Sequence, residues 1–167
     1  RPLRYYGFTF NAHNIQSSST RNLFKIIKGQ NTMHHNSHHQ FITHDGTTLF
    51  YQRWAAAHQP AKKAIVLFHR GHEHSERMAH LVEELNLPDF DFFAWDARGH
   101  GQSPGERGDA PSFSACVKDI QYFMRHIEAE YQIKTSDIAI VAQSVGAVLA
   151  ATWVHDYAPP LRARSEE

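Results

Sequence analysis

Ile138-Ala139-Ile140-Val141, followed at once by Ala142-Gln143-Ser144-Val145-Gly146, is the stretch on which the fold turns. The first four residues form an apolar run of the kind a buried strand uses. From Val145 to residue 157 the chain reads as a helix. Ser144 therefore falls at a strand-to-helix junction, with small residues two before it and two after it. That is the pattern of a nucleophile elbow, whose turn is so tight that strand and helix almost touch and the flanking positions must lack bulk. In such a turn the serine backbone is forced into a strained conformation that lifts its hydroxyl clear of the sheet. The usual pattern has glycine at the first of the five positions, where this chain has Ala142.

Working outward from the elbow, the preceding segments alternate. Phe41-Ile42-Thr43-His44, Asp45-Gly46 and then residues 48–54 predict a β-hairpin around an Asp-Gly turn. Ala64-Ile65-Val66-Leu67-Phe68 is a short continuous apolar run, hence a strand buried on both faces. Met78, Leu81, Val82 and Leu85 recur at helical spacing, with Ser75 placed to cap that helix and Pro88 beyond it. Residues 90–95 predict the next strand, and residues 96–111 a long loop with four glycines. Ser112 caps a long helix whose apolar face is Phe113, Cys116, Val117, Ile120, Phe123, Met124 and Ile127; on that face Cys116 reads as a small core residue. Residues 137–141 are the fifth strand. The order is a hairpin followed by β-α-β-α-β-α. It predicts an α/β fold with a mostly parallel central sheet covered by helices. Ligands in such sheets bind beyond the carboxyl ends of the strands, where the loops 69–74, 96–108 and 143–146 would meet.

Those loops carry a resemblance. His69-Arg70-Gly71-His72-Glu73-His74-Ser75 is similar to the loop after the third strand in monoacylglycerol lipases, lysophospholipases and related serine hydrolases. Asp96-Ala97-Arg98-Gly99-His100-Gly101-Gln102-Ser103, continued by Pro104-Gly105-Glu106-Arg107-Gly108, resembles the loop that family carries after its fourth strand. With the elbow, three motifs stand in family order over residues 40–162. The chain thus resembles the α/β-hydrolase superfamily, in its lysophospholipase-like and serine-aminopeptidase-like branch.

The resemblance implies that Ser144 is the nucleophile of an ester hydrolase acting on a small lipid or ester substrate, without a cofactor. It implies an oxyanion hole made of the backbone N–H groups of Val145 and Gly71, with Ala142 and Gly146 shaping the elbow. Arg70 departs from relatives that have glycine there. His69 and His100 are expected to shape loops, because the superfamily's base follows the serine, and Asp96 is expected to organise its loop. His72-Glu73-His74 is no zinc signature, since H-E-x-x-H needs histidine where Glu76 stands. No metal is expected. After Ser144 the only histidine is His155 and the only aspartate Asp156, and both fall on the helix that starts at the elbow. Eleven residues at ~1.5 Å each put His155 about 16 Å along the axis, beyond the reach of a hydrogen bond. The triad acid and base are therefore expected to be missing, as are the sixth strand and the cap segment of relatives. This leaves an open sheet edge suited to self-association. The polar ending 163–167 suggests a truncated or frameshifted N-terminal half, inactive as such. A non-catalytic interaction module and an aminopeptidase-like amide hydrolase are the alternatives. Halide chemistry is disfavoured, because it needs a carboxylate at the nucleophile position.

The remaining signals bound the setting. In 167 residues, 41% are apolar and 20% charged, with a formal net charge of zero, which gives no reason to expect nucleic acid as a partner. Residues 1–44 hold five basic residues and no acid, against 12 basic and 17 acidic residues in the rest. Residues 1–39 read as a polar extension, disordered, with 40–167 as the hydrolase part. Met33 is a candidate start, and a transit peptide is the other reading of residues 1–32. His34, His35, His38 and His39 read as part of a mobile tail, with no cysteine or carboxylate beside them to complete a metal site. One cysteine, Cys116, excludes an intrachain disulfide and fits a reducing, cytoplasmic compartment, or an organelle if the extension is a transit peptide. No apolar run long enough to span a membrane is present, so at most peripheral contact is expected.

Overall fold

A computed structural model describes residues 34–161. Five strands form one sheet in the order β1-β2-β4-β3-β5. They are β1 (His35–Ile42), β2 (Thr48–Ala55), β3 (Lys63–Phe68), β4 (Phe90–Trp95) and β5 (Ile138–Ala142). β1 pairs antiparallel with β2, and β2 antiparallel with β4, whereas β3 is parallel to both β4 and β5. The helices are α1 (Ala79–Leu85), entered through a 3₁₀ turn at Ser75–Met78, α2 (Phe113–Tyr131) and α3 (Val145–Tyr157). The α/β architecture expected from the alternation is therefore present, with β5 at an edge of the sheet among the described residues.

The strands β3 and β4 are buried on both faces because helices cover both. On one side Val66, Phe68, Phe93 and Trp95 pack with Ile120, Phe123 and Met124 of α2 and with Leu149 and Trp153 of α3. On the other, Ile65, Leu67, Phe92 and Ala94 pack with Met78 and Val82. The side chain of Ser112 accepts from Ala115 N–H at 3.1 Å and so starts α2 as expected. The predicted hairpin turn is also present, with Gly46 at φ +84° and Thr47 N–H bonded to Asp45 Oδ1 at 3.0 Å.

Four details depart from expectation. β1 begins at His35 rather than Phe41, so the polar extension cannot run to residue 39; His35 to Ile42 pair in register with Ala55 to Thr48. An edge strand needs its backbone partner more than an apolar pattern, and only Phe41 of β1 is fully buried. His38 and His39 are accordingly strand residues that pack on Phe50 and Tyr51, not part of a mobile tail. Residues 1–33 lie outside the described residues. Phe113 is exposed, while Asp119 takes a place on the buried face of α2. Ser75 does not cap a helix: its N–H donates to Asp96 Oδ1 at 2.6 Å and its hydroxyl accepts from Gln52 Nε2 at 2.9 Å. Leu85 stays half exposed at the end of α1.

Among the described residues, no helix is long and apolar enough to cross a membrane.

Candidate active site

The elbow is built by an abrupt change of direction between β5 and α3. Phe68 pairs with Ala142 across β3 and β5, and one residue later Gln143 N–H donates to Phe68 O at 3.1 Å. Ser144 then adopts φ 51° and ψ −123°. For a residue with a side chain this region costs on the order of 1–3 kcal/mol, and it persists only where the surroundings impose it. Here they do. A Cβ on Gly146 would lie 2.5 Å from His69 O and 2.9 Å from Phe68 O, so α3 starts hard against the end of β3. Gly146 is the residue that permits that approach. Ala142, at the first small position, packs its methyl group against the core, so the missing glycine is accommodated.

Ser144 sits immediately before α3, exposed, and its side chain makes no capping bond. Its carbonyl accepts from Ala147 and Val148 N–H at 2.9 and 3.1 Å, which closes the first turn. Val145 N–H precedes the first intrahelical bond and belongs to the unpaired donors of a helix N-terminus, where the dipole favours negative charge. The loop after β3 comes close: a Cβ on Gly71 would be 3.7 Å from Val145 Cγ1. Among the described residues, neither the Gly71 N–H nor the Val145 N–H is bonded to a backbone carbonyl or a side chain. A cavity of about 320 Å³ opens beside them, lined among others by Gly71, Trp95, Cys116, Val145 and Leu149. Burial raises the Cys116 thiol, which keeps it protonated there.

The histidines and the aspartate of the neighbouring loops serve the backbone. His69 Nδ1 lies 2.7 Å from Arg70 O, and its Nε2 accepts from Ala97 N–H at 3.1 Å. Burial lowers its pKa, and the neighbouring His100 lowers it further. His100 Nδ1 is 2.8 Å from Arg98 O. Asp96, almost wholly buried, accepts from Ser75 N–H through Oδ1 and from Gln102 N–H through Oδ2, at 2.6 and 2.8 Å. A Cβ on Gly101 would collide with that carboxylate, so the loop closes directly over it. Arg70 forms an ion pair with Glu73 at 2.8 Å and points outward, 60% exposed, which leaves the backbone of the loop undisturbed. Among the described residues, His155 bonds only with its neighbour Asp156, out in solvent. Among the described residues, no cluster of three or more histidine, cysteine or acidic side chains could hold a metal.

Sequence reasoning missed Arg98. It is buried and donates to both carboxylate oxygens of Asp119, at 2.6 and 2.9 Å, while also reaching Thr47 and Asp45. The loop that lines the cavity is thereby fastened to the hairpin and to α2. Arg98 and Asp119 are 21 residues apart, and nothing in their local pattern links them.

The family model described as serine aminopeptidase, S33, matches residues 59–164. The chain is 56% identical over 124 residues to an uncharacterized protein, YnbC, of Escherichia coli (strain K12), an alignment that covers 74% of this chain and 21% of that protein. It is 30% identical over 135 residues to the monoglyceride lipase of Homo sapiens, covering 81% of this chain and 42% of the lipase. Among solved structures, a thermostable carboxyl esterase from Bacillus coagulans superposes with a TM-score of 0.62 at 18% identity, over 75% of this chain and 42% of the esterase. A hypothetical protein from Pseudomonas aeruginosa gives a TM-score of 0.67 at 16% identity, over 78% and 41%. The chain spans less than half the length of each of these proteins.

Proposed function

Because the chain belongs to the serine aminopeptidase, S33, family and has the α/β-hydrolase fold, we propose that it carries the nucleophile and oxyanion side of a serine hydrolase. The proposed substrates are carboxylic esters such as monoacylglycerols or lysophospholipids. The observation that carries this reading is the backbone of Ser144, held at φ 51° by the contact of Gly146 with the end of β3. That conformation accompanies the close approach of α3 to β3 and stands at an exposed serine. The ester class is supported by the likeness to the monoglyceride lipase of Homo sapiens.

In the proposed reaction Ser144 Oγ attacks the ester carbonyl carbon as a base takes its proton. The carbonyl oxygen becomes an oxyanion, received by the N–H groups of Gly71 and Val145. Each such donor lowers the barrier by about 3 kcal/mol. The tetrahedral intermediate then expels the alcohol, which leaves with the proton, and water later hydrolyses the acyl-Ser144 ester. The base is not among the residues the structure brings to Ser144. His69 has both ring nitrogens on the main chain, and His155 is about 16 Å along α3 by helical rise.

A fluorophosphonate probe tests the reading. It should label the full-length protein at Ser144 and leave Ser144→Ala unlabelled; labelling that survives the substitution sinks it. A panel of p-nitrophenyl esters and amino-acid anilides separates ester from amide hydrolysis, the latter being the reading that the family's aminopeptidase description favours. A non-catalytic role is favoured by the one observation that, among the described residues, no histidine is bonded to Ser144. Absence of labelling in the full-length protein would decide for it.

A further inference from the structure

The Arg70–Gly71 peptide is held from one side. His69 Nε2 accepts a hydrogen bond from Ala97 N–H at 3.1 Å, so it carries no proton of its own. The ring proton is therefore on Nδ1, and it is donated to Arg70 O at 2.7 Å. Glu73 N–H adds a longer bond to the same carbonyl, at 3.3 Å. The ring is 4% exposed and its pKa is lowered mainly by burial, which favours this neutral form. Among the described residues, the only cis peptide bond is Gln59–Pro60, so the Arg70–Gly71 bond is trans. In a planar trans peptide the N–H points opposite to the C=O. Fixing the Arg70 carbonyl on His69 therefore fixes the Gly71 N–H in the reverse direction, and Gly71 lies beside Val145 and the cavity.

Resting on the reading of Ser144 as nucleophile, we propose that His69 is a positioning residue that aims the Gly71 N–H at the oxyanion by gripping the carbonyl of the same peptide from behind. Its second bond, to Ala97 N–H, ties this peptide to the loop after β4 and locks the tautomer that makes the grip work. His69 is thus neither the general base nor a simple filler of the core. A misaimed donor loses most of its effect on the barrier while the cavity that binds substrate stays intact.

The two ring nitrogens can be replaced one at a time in the full-length protein. Asparagine puts an amide N–H near the place of Nδ1 and abandons Ala97; glutamine puts an acceptor near the place of Nε2 and abandons Arg70. With p-nitrophenyl butyrate, His69→Gln is expected to lower kcat about tenfold to a hundredfold with KM within about twofold, and His69→Asn to stay within about threefold of the parent. The Gly71 amide resonance should stay in place in His69→Asn and move in His69→Gln. Equal kcat losses in the two variants, or equal movements of that resonance, would overturn the proposal. Should either variant fold poorly, nitrogen-15 spectra of the unaltered protein must show the His69 proton on Nδ1; a proton on Nε2 overturns it as well. Turnover that survives Ser144→Ala defeats the nucleophile reading instead, and the Gly71 resonance then still decides whether His69 sets that peptide.

Discussion

The two ends of the sheet are fastened by different physics. At the β1–β2 end, buried charge and hydrogen bonding hold the parts in register. Arg98 joins Asp119 of α2 to Asp45 and Thr47 of the hairpin turn. Arg53 grips Asp91, whose other oxygen accepts from Ala56 N–H and Gln59 Nε2. Tyr51 OH lies between His126 Nε2 and Tyr131 OH, at 2.9 and 2.7 Å. At the β5–α3 end the fastening is steric: Gly146 lies against the carbonyls that end β3, and α3 is apolar on most of its surface. A polar fastening tolerates a loose approach but demands specific partners. A steric one tolerates no added atom yet leaves the donors around it free for chemistry.

The largest effect should come from the first end. Arg98→Met leaves Asp119, 1% exposed, with Thr43 and His44 but without its bidentate cation. Breaking a buried pair by removing one partner costs about 3–5 kcal/mol, and urea unfolding should show a loss of that size. A loss below about 1 kcal/mol would mean that the cluster is solvated and the contrast between the ends is false. At the second end, Gly146→Val forces side-chain atoms into the backbone of His69 and Phe68. Overpacking costs about 1–3 kcal/mol, occasionally more, and this site belongs at the upper limit because carbonyls, not flexible side chains, stand in the way. Gly46→Ala is the control at the first end. It has open space around it but a φ of +84°, so about 1 kcal/mol is expected from backbone strain alone.

This contrast also explains which parts of the molecule were legible in the sequence. The steric end was: Ser144, Gly146 and the limits of α3 follow from small residues at fixed offsets and a change of hydrophobic period, all within twenty residues. The adjacency of Gly71 and Val145 followed from the topology, since both loops lie at the carboxyl ends of neighbouring parallel strands. The polar end was not legible. Asp119 interrupts the apolar face of α2 because Arg98 neutralises it, and Phe113 is exposed because it stands in the first turn, ahead of that face. The strand from His35 is concealed by its polar composition. The roles of His69 and Ser75 depend on main-chain groups of distant residues, which no side-chain pattern records.

The pH dependence of stability should draw on both ends. His39 and His126 have pKa values lowered chiefly by burial. For a base with a folded-state pKa below its unfolded value near 6.5, the unfolded chain binds more protons, so stability is complete at higher pH. It is lost as pH falls from about 6.5 toward the lowered values. His69 adds to the same slope from the other end. Asp45, with its carboxyl held low by hydrogen bonds from Arg98, contributes stability lost only below the ordinary carboxylate range. Urea midpoints between pH 7.5 and 5 should fall, and His126→Gln should flatten part of that fall. Its amide can take the Tyr51 hydrogen bond and cannot titrate. An unchanged slope would mean that the Tyr51 network does not sense protonation.

The smallest effect on stability, and the most direct test of the second end, is at Val148. A helix that is apolar all round is ordinarily covered on all sides. Yet Val145, Val148, Val154 and Tyr157 of α3 are 40–56% exposed, beside the edge strand β5. Ile42 at the first end is more exposed still, at 67%, but stands alone among the polar residues of β1. Single exposed apolar residues need no partner, whereas several on one helix, beside the strand that ends the sheet among the described residues, invite one. Val148→Glu and Ile42→Glu should each change unfolding free energy by less than about 0.5 kcal/mol. In sedimentation velocity over a concentration series, any self-association should be weakened by Val148→Glu and left alone by Ile42→Glu. If both substitutions reduce it equally, or neither does, α3 and the β5 edge are no more adhesive than β1, and the difference between the ends lies only in how each is fastened internally.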